Sequence, residues 1–151
     1  MEIKKDNLEG GEVIALLQEH LADMYATSPP DSVHALDIDA LKSPSITFFS
    51  AWVNCSLAGC VAIKTLNAES AELKSMRTVR HFRSSGVASK LLMFVLDFAK
   101  EQGYRKISLE TGTQDYFLPA RNVYKKFGFA DCGPFSAYKL DSNSHFMSRD
   151  V

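Results

Sequence analysis

Apolar residues recur in two rhythms along this chain. From Glu12 to Ala26 they fall at near-helical spacing (Val13, Leu16, Leu17, Leu21, Met24) after the Gly10–Gly11 break, which predicts an amphipathic helix. Ser28-Pro29-Pro30-Asp31 ends it, because proline cannot continue a helix. A short run at Glu2–Lys5 before it could start a strand, and Val33–Leu41 after it reads as a weaker helical turn or two. The rhythm then changes. Ile46–Val53 and Leu57–Leu66 are β-rich and joined by Asn54-Cys55-Ser56, which predicts an antiparallel hairpin. Asn67-Ala68-Glu69-Ser70 turns into a third run, Ala71–Val79. The strongest helix puts Val87, Leu91, Leu92, Val95, Phe98 and Ala99 on one face, with Gly103 at its C-terminal stop. Arg105–Thr111 alternates, Ile107 and Leu109 against Ser108 and Glu110, as a strand does. Pro119 suits the first turn of a short helix ending at Gly128, and Phe129 onward reads as a final strand or strand pair. The order β, α, α, β, β, β, α, β, α, β predicts an α+β sheet sandwiched by helices.

Length and composition narrow the setting. With 151 residues and no repeat or linker-like stretch, residues 1–151 read as a single domain with one substantial core. A net charge of −1 gives no basic excess to release counterions, so nucleic acid is not an expected partner. No apolar run approaches the roughly 20 residues that span a bilayer, and the chain opens on charge, so neither membrane nor secretion is expected. Cys55, Cys60 and Cys132 are an odd count without metal-ligand spacing, expected as small buried hydrophobes. The expectation is a cytoplasmic protein that binds no metal.

One segment carries chemistry. Between the third β-run and the strongest helix lies Arg83-Ser84-Ser85-Gly86-Val87-Ala88-Ser89. Backbone N–H groups at a helix start have no internal partners, and the helix dipole favours an anion there. Gly86 permits close approach of a ligand to the backbone, Ala88 adds little bulk, and Ser84 or Ser85 can cap the helix. Taken alone, the segment is equally a capped helix after a turn.

Arg83-Ser84-Ser85-Gly86-Val87-Ala88 matches the Q/R-x-x-G-x-G/A signature of the Gcn5-related N-acetyltransferases (GNAT). The flanks extend the resemblance: Glu72–Thr78 is similar to the family's fourth strand, Leu91-Leu92 to its long helix, Gly103–Ile107 to the approach to its fifth strand. Val123-Tyr124-Lys125-Lys126-Phe127-Gly128-Phe129 is similar to its L-Y-x-K-x-G-F ending. Residues 70–130 agree in order and spacing. The resemblance implies a mixed, mostly antiparallel central sheet with helices on both faces. It implies acetyl-CoA as co-substrate, with Met76, Arg77, Thr78, Arg83, Ser84, Ser85, Gly86, Val87, Ala88, Ser89, Phe117 and Tyr124 about it. Three positions depart from the family pattern: Phe117 replaces a common asparagine seven residues before Tyr124, His81 a common proline, and Ser84 a common glycine.

The implied reaction is direct attack of a primary amine, expected to be a small molecule, on the thioester. Backbone N–H groups near Met76–Thr78 would polarise the carbonyl. Glu72, eleven residues before Arg83, is the candidate base, acting directly or through water, or else is a strand carboxylate paired with Lys74. Strand alternation puts Glu72, Lys74, Met76 and Thr78 on one face, and Arg77, which could bind an acceptor carboxylate, on the other. Tyr124 is the candidate acid for the departing thiolate. His34 and Asp37 fall where the family binds its acceptor, His20 and Met24 share one face of the first helix, and Tyr116, Phe117, Phe135 and Tyr138 could line an acceptor pocket or belong to the core. His34 and Tyr138 are the acceptor candidates, and Lys125-Lys126 could touch the 3′-phosphate. Two other readings stay open: a non-catalytic acyl-CoA-binding module, and an acetyltransferase for protein N-termini or lysines. An exposed C-terminal strand could pair across a homodimer.

Overall fold

The computed structural model describes residues 1–151. Seven strands form one sheet in the order β1-β2-β3-β4-β5-β7-β6. They are β1 (Glu2–Lys5), β2 (Ile46–Val53), β3 (Ser56–Thr65), β4 (Ser70–Thr78), β5 (Lys106–Gly112), β6 (Ala130–Cys132) and β7 (Ser144–Asp150). Every neighbouring pair is antiparallel except β4–β5. Four helices cover the sheet: α1 (Gly11–Thr27), α2 (Ile38–Leu41), α3 (Val87–Glu101) and α4 (Leu118–Lys126). The architecture is the mixed, mostly antiparallel α+β sheet that the sequence predicts.

The strand rhythm explains the two layers. β3 is buried from Leu57 to Ile63, as a central strand covered on both faces must be. Its even positions Cys60 and Ala62 pack with Val13, Leu16 and Leu17 of α1 and Leu41 of α2. Its odd positions Val61 and Ile63 pack with Val87, Leu91, Leu92 and Val95 of α3 and with Tyr124 of α4. The β2–β3 hairpin closes through Asn54 and Cys55, both at positive φ (48° and 67°), so Cys55 is an exposed turn residue and not a buried hydrophobe. Within Val33–Leu41 only Ile38–Leu41 is helical; Pro30–Ser32 forms a separate 3-10 turn. Asp37 caps α2 by accepting from the Ala40 N–H at 2.8 Å, a structural task that accounts for its side chain.

Two irregularities open the sheet. β4 and β5 pair only from Ser70↔Lys106 to Glu72↔Ser108, although both strands run on. Past Glu72 the β5-facing edge of β4 therefore has no strand partner. In the same stretch the β3–β4 register shifts, Cys60 opposing Arg77 while Ala62 opposes Lys74, and Ser75 sits at φ +53°. This bulge inserts a residue into the alternation. Glu72, Lys74 and Arg77 consequently share the α1 face, whereas Met76 packs with the α3-side core. Unbroken alternation from Glu72 to Thr78, with Arg77 opposite Glu72, is thus corrected by the structure.

Candidate active site

Where β4 and β5 part, a cavity of about 660 Å³ runs through the molecule. One end is made of main chain. Arg83 ends a short 3-10 turn, Ser84 adopts φ +62° and Gly86 φ +85°, and α3 begins at Val87. None of the backbone N–H groups from Ser84 to Ser89 donates to a protein acceptor. The predicted serine cap is not made: Gly86 is the N-cap residue, and the Ser85 hydroxyl instead donates back to the Phe82 carbonyl. The first turn of α3 keeps its donors, and its dipole points the positive end at the cavity. A side chain at Gly59 would come within 2.7 Å of the Arg77 carbonyl and 3.1 Å of Val87 and Leu91, so this glycine lets α3 seat tightly against β3 and β4.

The opposite end is made of side chains. Glu72 is only 3% exposed; its Oε2 accepts from the Tyr138 hydroxyl at 2.5 Å and from Lys74 Nζ at 3.2 Å. Lys74 Nζ also donates to the Tyr138 oxygen at 3.0 Å. Burial, and then the Glu72 carboxylate, raise the Tyr138 hydroxyl above the usual phenol range. His34 stands edge-on to the Tyr138 ring, and the Ser32 hydroxyl donates to Asp141 Oδ2 at 2.6 Å. That bond ties the α1–α2 connection to the β6–β7 connection over this end of the cavity. Glu110 lines the same space from β5, without an ion pair. Burial raises it to about 7; Ser144 and Lys74 pull it down, Glu72 and Asp141 push it up.

Between the ends lie Tyr124, Phe117 and the α1 wall. Tyr124 is buried, its hydroxyl makes no hydrogen bond to the protein, and burial holds it protonated. The Phe117 ring fills the space beside Gly112, where a Cβ would sit 2.2 Å from two ring carbons. On the α1 side the Arg77 guanidinium donates to Glu19 Oε1 and Asp23 Oδ2, each at 2.6 Å, and reaches the Tyr116 hydroxyl at 3.4 Å. His20, beside it, is pushed down to about 4, first by burial and then by the Arg77 charge, so it is neutral near pH 7.

Most of the sequence-predicted residues meet in this one cavity. Glu72, Met76, Arg77, Thr78, Arg83, Ser84, Gly86, Val87, Ala88, Ser89, Phe117, Tyr124, His34, His20 and Met24 all line it. Ser85 and Tyr138 do not, although Tyr138 touches it through Glu72 and Lys74. Arg77 is engaged by two carboxylates instead of being free for an acceptor. Sequence reasoning missed Glu110 and the Ser32–Asp141 tie. In the sequence Glu110 is an ordinary polar position of an alternating strand; only the sheet order, which puts β5 between β4 and β7, shows that this carboxyl faces the interior.

The acetyltransferase (GNAT) family profile matches residues 13–129. The chain is 46% identical over 151 residues, covering all of both chains, to the uncharacterized N-acetyltransferase YsnE of Bacillus subtilis (strain 168). It is 45% identical over 146 residues to the uncharacterized N-acetyltransferase YedL of Escherichia coli (strain K12), covering 97% of this chain and 92% of that one. Among solved structures, a GNAT family acetyltransferase from Elizabethkingia anophelis with acetyl-CoA bound superposes with a TM-score of 0.69 at 16% identity, covering 99% of this chain and 97% of that chain.

Proposed function

We infer the course of the reaction from one premise: this chain belongs to the acetyltransferase (GNAT) family and is an N-acetyltransferase that moves the acetyl group of acetyl-CoA to an amine. The observation that carries the assignment of the site is the run of N–H groups from Ser84 to Ser89, without protein acceptors, at one end of the cavity. These donors and the positive end of α3 fit a pyrophosphate, and Gly86 adds no Cβ to hold it away. Arg83 supplies a side-chain cation at the same end. In this reading the pantetheine arm runs along the unpaired edge of β4 past Phe117. The main chain of Met76–Thr78 then polarises the thioester carbonyl; one such fixed donor contributes about 3 kcal/mol to an acyl transfer.

The amine attacks the carbonyl carbon directly, a C–N bond forms, and the C–S bond breaks. Tyr124 donates its hydroxyl hydrogen bond to the departing sulfur and relays to it a proton from the attacking nitrogen, ending as the neutral phenol that its burial favours. The Ser32–Asp141 tie and the His34–Tyr138 contact roof the acceptor end, which supports a small amine over a protein segment. The C-terminal strand β7 lies between β5 and β6 and has no exposed edge, so the pairing expected of it would have to use the outer edge of β6.

Calorimetric titration with acetyl-CoA, followed by free-thiol release with tyramine, spermidine and glycinamide, tests this reading. Micromolar binding and release with at least one amine are expected. Binding without release from any of them, or from lysine-containing peptides, favours the non-catalytic module; release with peptides alone overturns the small acceptor. No binding at all defeats the assignment of the loop.

A further inference from the structure

We propose that the residue accepting the amine's proton is Glu110 on β5, and that Glu72, Lys74 and Tyr138 form a fixed frame beside it that positions and tunes it. This rests on the cavity being the transfer site, as argued above.

Glu72 and Glu110 both line the cavity, on the two strands that diverge there, but their circumstances differ. Glu72 accepts from Tyr138 and Lys74 on the same oxygen. Protonating it would leave the Lys74 ammonium, whose side chain is 8% exposed, without its counter-charge. Breaking a buried pair in that way is strongly unfavourable. Glu110 has no cation in ion-pair range and only the neutral Ser144 hydroxyl bonded to its ionised form, so it can take up and release a proton without stranding a charge. It lies one residue beyond the core residue Leu109, on the stretch of β5 that has left β4, and so faces the same opening as the thioester-polarising edge.

The charged and titratable groups around Glu110 are Lys74 and Glu72 from β4 and Tyr138 and Asp141 from the segment before β7. Lys74 favours its ionised form; Glu72 and Asp141 disfavour it; Tyr138 stays neutral. With burial they bring Glu110 to about 7, where a carboxylate is half ionised at neutral pH and is a far better proton acceptor than an ordinary one. The balance is complete: the arriving ammonium gives one proton to Glu110, which passes it to solvent. The neutral amine forms the C–N bond, and its second proton travels to the sulfur as the C–S bond breaks.

The test compares E110Q, E72Q and K74M with the parent, using whichever amine the release assay has shown to be accepted. E110Q is expected to keep acetyl-CoA affinity within about twofold, lower kcat about 100-fold and remove the acidic limb of the kcat–pH profile near pH 7. Because activity requires ionised Glu110, E72Q should move that limb to lower pH and K74M to higher pH. If either single variant does not fold, the E72Q/K74M double should still move the limb upward, since Lys74 has the larger pull. A near-parental rate in E110Q overturns the proposal. So does an E72Q variant that alone abolishes turnover, or a limb that persists in E110Q and tracks the pKa of the acceptor amine. Failure of the parent to bind acetyl-CoA or release CoA would instead strike the transfer reading itself.

Discussion

Replacing Arg77 by methionine removes the side chain that fastens α1 to the bulge of β4. The guanidinium is only 4% exposed and makes two 2.6 Å bonds from one nitrogen, to Glu19 and to Asp23. Each is charge-assisted, a class worth about 1.5–3 kcal/mol when deleted from a folded protein. Two corrections lower the sum. The carboxylates are 42% and 29% exposed and can rehydrate, and Glu19 keeps Arg80 at 3.8 Å. Methionine also restores part of the buried volume without the desolvation of a charge. A net loss of about 2–3 kcal/mol follows, and for a chain of this size roughly 2–4 °C per kcal/mol gives a fall in Tm of about 5–10 °C. The pH dependence has a definite sign. Asp23 is held below the ordinary carboxylate range, chiefly by the bond from Arg77. Stability from that depressed value is fully present above the unfolded pKa of about 4 and is lost as pH falls through the folded value. Thermal unfolding followed by circular dichroism should therefore show the parent and R77M well separated at pH 7 and closer together near pH 3. A shift under about 2 °C at pH 7, or a gap unchanged at pH 3, would refute the view that this ion network holds α1 over the site.

Three further substitutions probe the cavity. At Gly86 a new side chain meets no atom within 4 Å but must adopt φ +85°, at about 1–2 kcal/mol. Gly86→Trp should therefore fold with a Tm a few degrees lower yet lose calorimetric binding of acetyl-CoA, and unchanged affinity would count against the loop. Tyr124→Phe keeps the ring among Val95, Phe129 and their neighbours and removes only the hydroxyl. Turnover should fall by about 10- to 100-fold with acetyl-CoA affinity unaltered, and an unaffected rate removes its role at the sulfur. Gly112→Ala drives a methyl to 2.2 Å from the Phe117 ring, which must swing, costing about 1–3 kcal/mol and weakening acetyl-CoA binding; a variant with both parental Tm and parental affinity shows that the ring is not held there.

The parts of the fold and site that were legible in the sequence are those encoded locally. The α3 stripe, the hairpin and the Gly103 and Gly128 stops each sit within a few residues of their own cause. The donor loop is likewise one contiguous segment, so Arg83 through Ser89 could be named before any contact was known. The bulge at Ser75 was not legible, because a shift of register belongs to the pairing of two strands and not to either one. Alternation therefore put Arg77 on the wrong face and Met76 beside Glu72. Glu110 and Asp141 were missed for a related reason: their relevance comes from chain segments far apart in sequence, β4 meeting β5 and the residue 30–34 stretch meeting the segment before β7.

This difference in construction has a functional consequence. The coenzyme end of the cavity is built from main-chain donors, which a side-chain substitution does not delete unless it adds bulk or alters φ. The acceptor end, with the α1 wall beside it, is built from side chains of β4, β5, α1, the Ser32–His34 stretch and the Tyr138–Asn143 stretch, so a substitution there removes the recognising group itself. Acetyl-CoA binding should accordingly tolerate substitution at His20, His34 and Tyr116, while the choice of amine should not. Replacing each by alanine, with acetyl-CoA affinity and amine preference measured side by side, separates the two ends. Loss of coenzyme affinity together with a change of acceptor would mean that the cavity acts as one unit and that the division between main-chain and side-chain recognition is wrong.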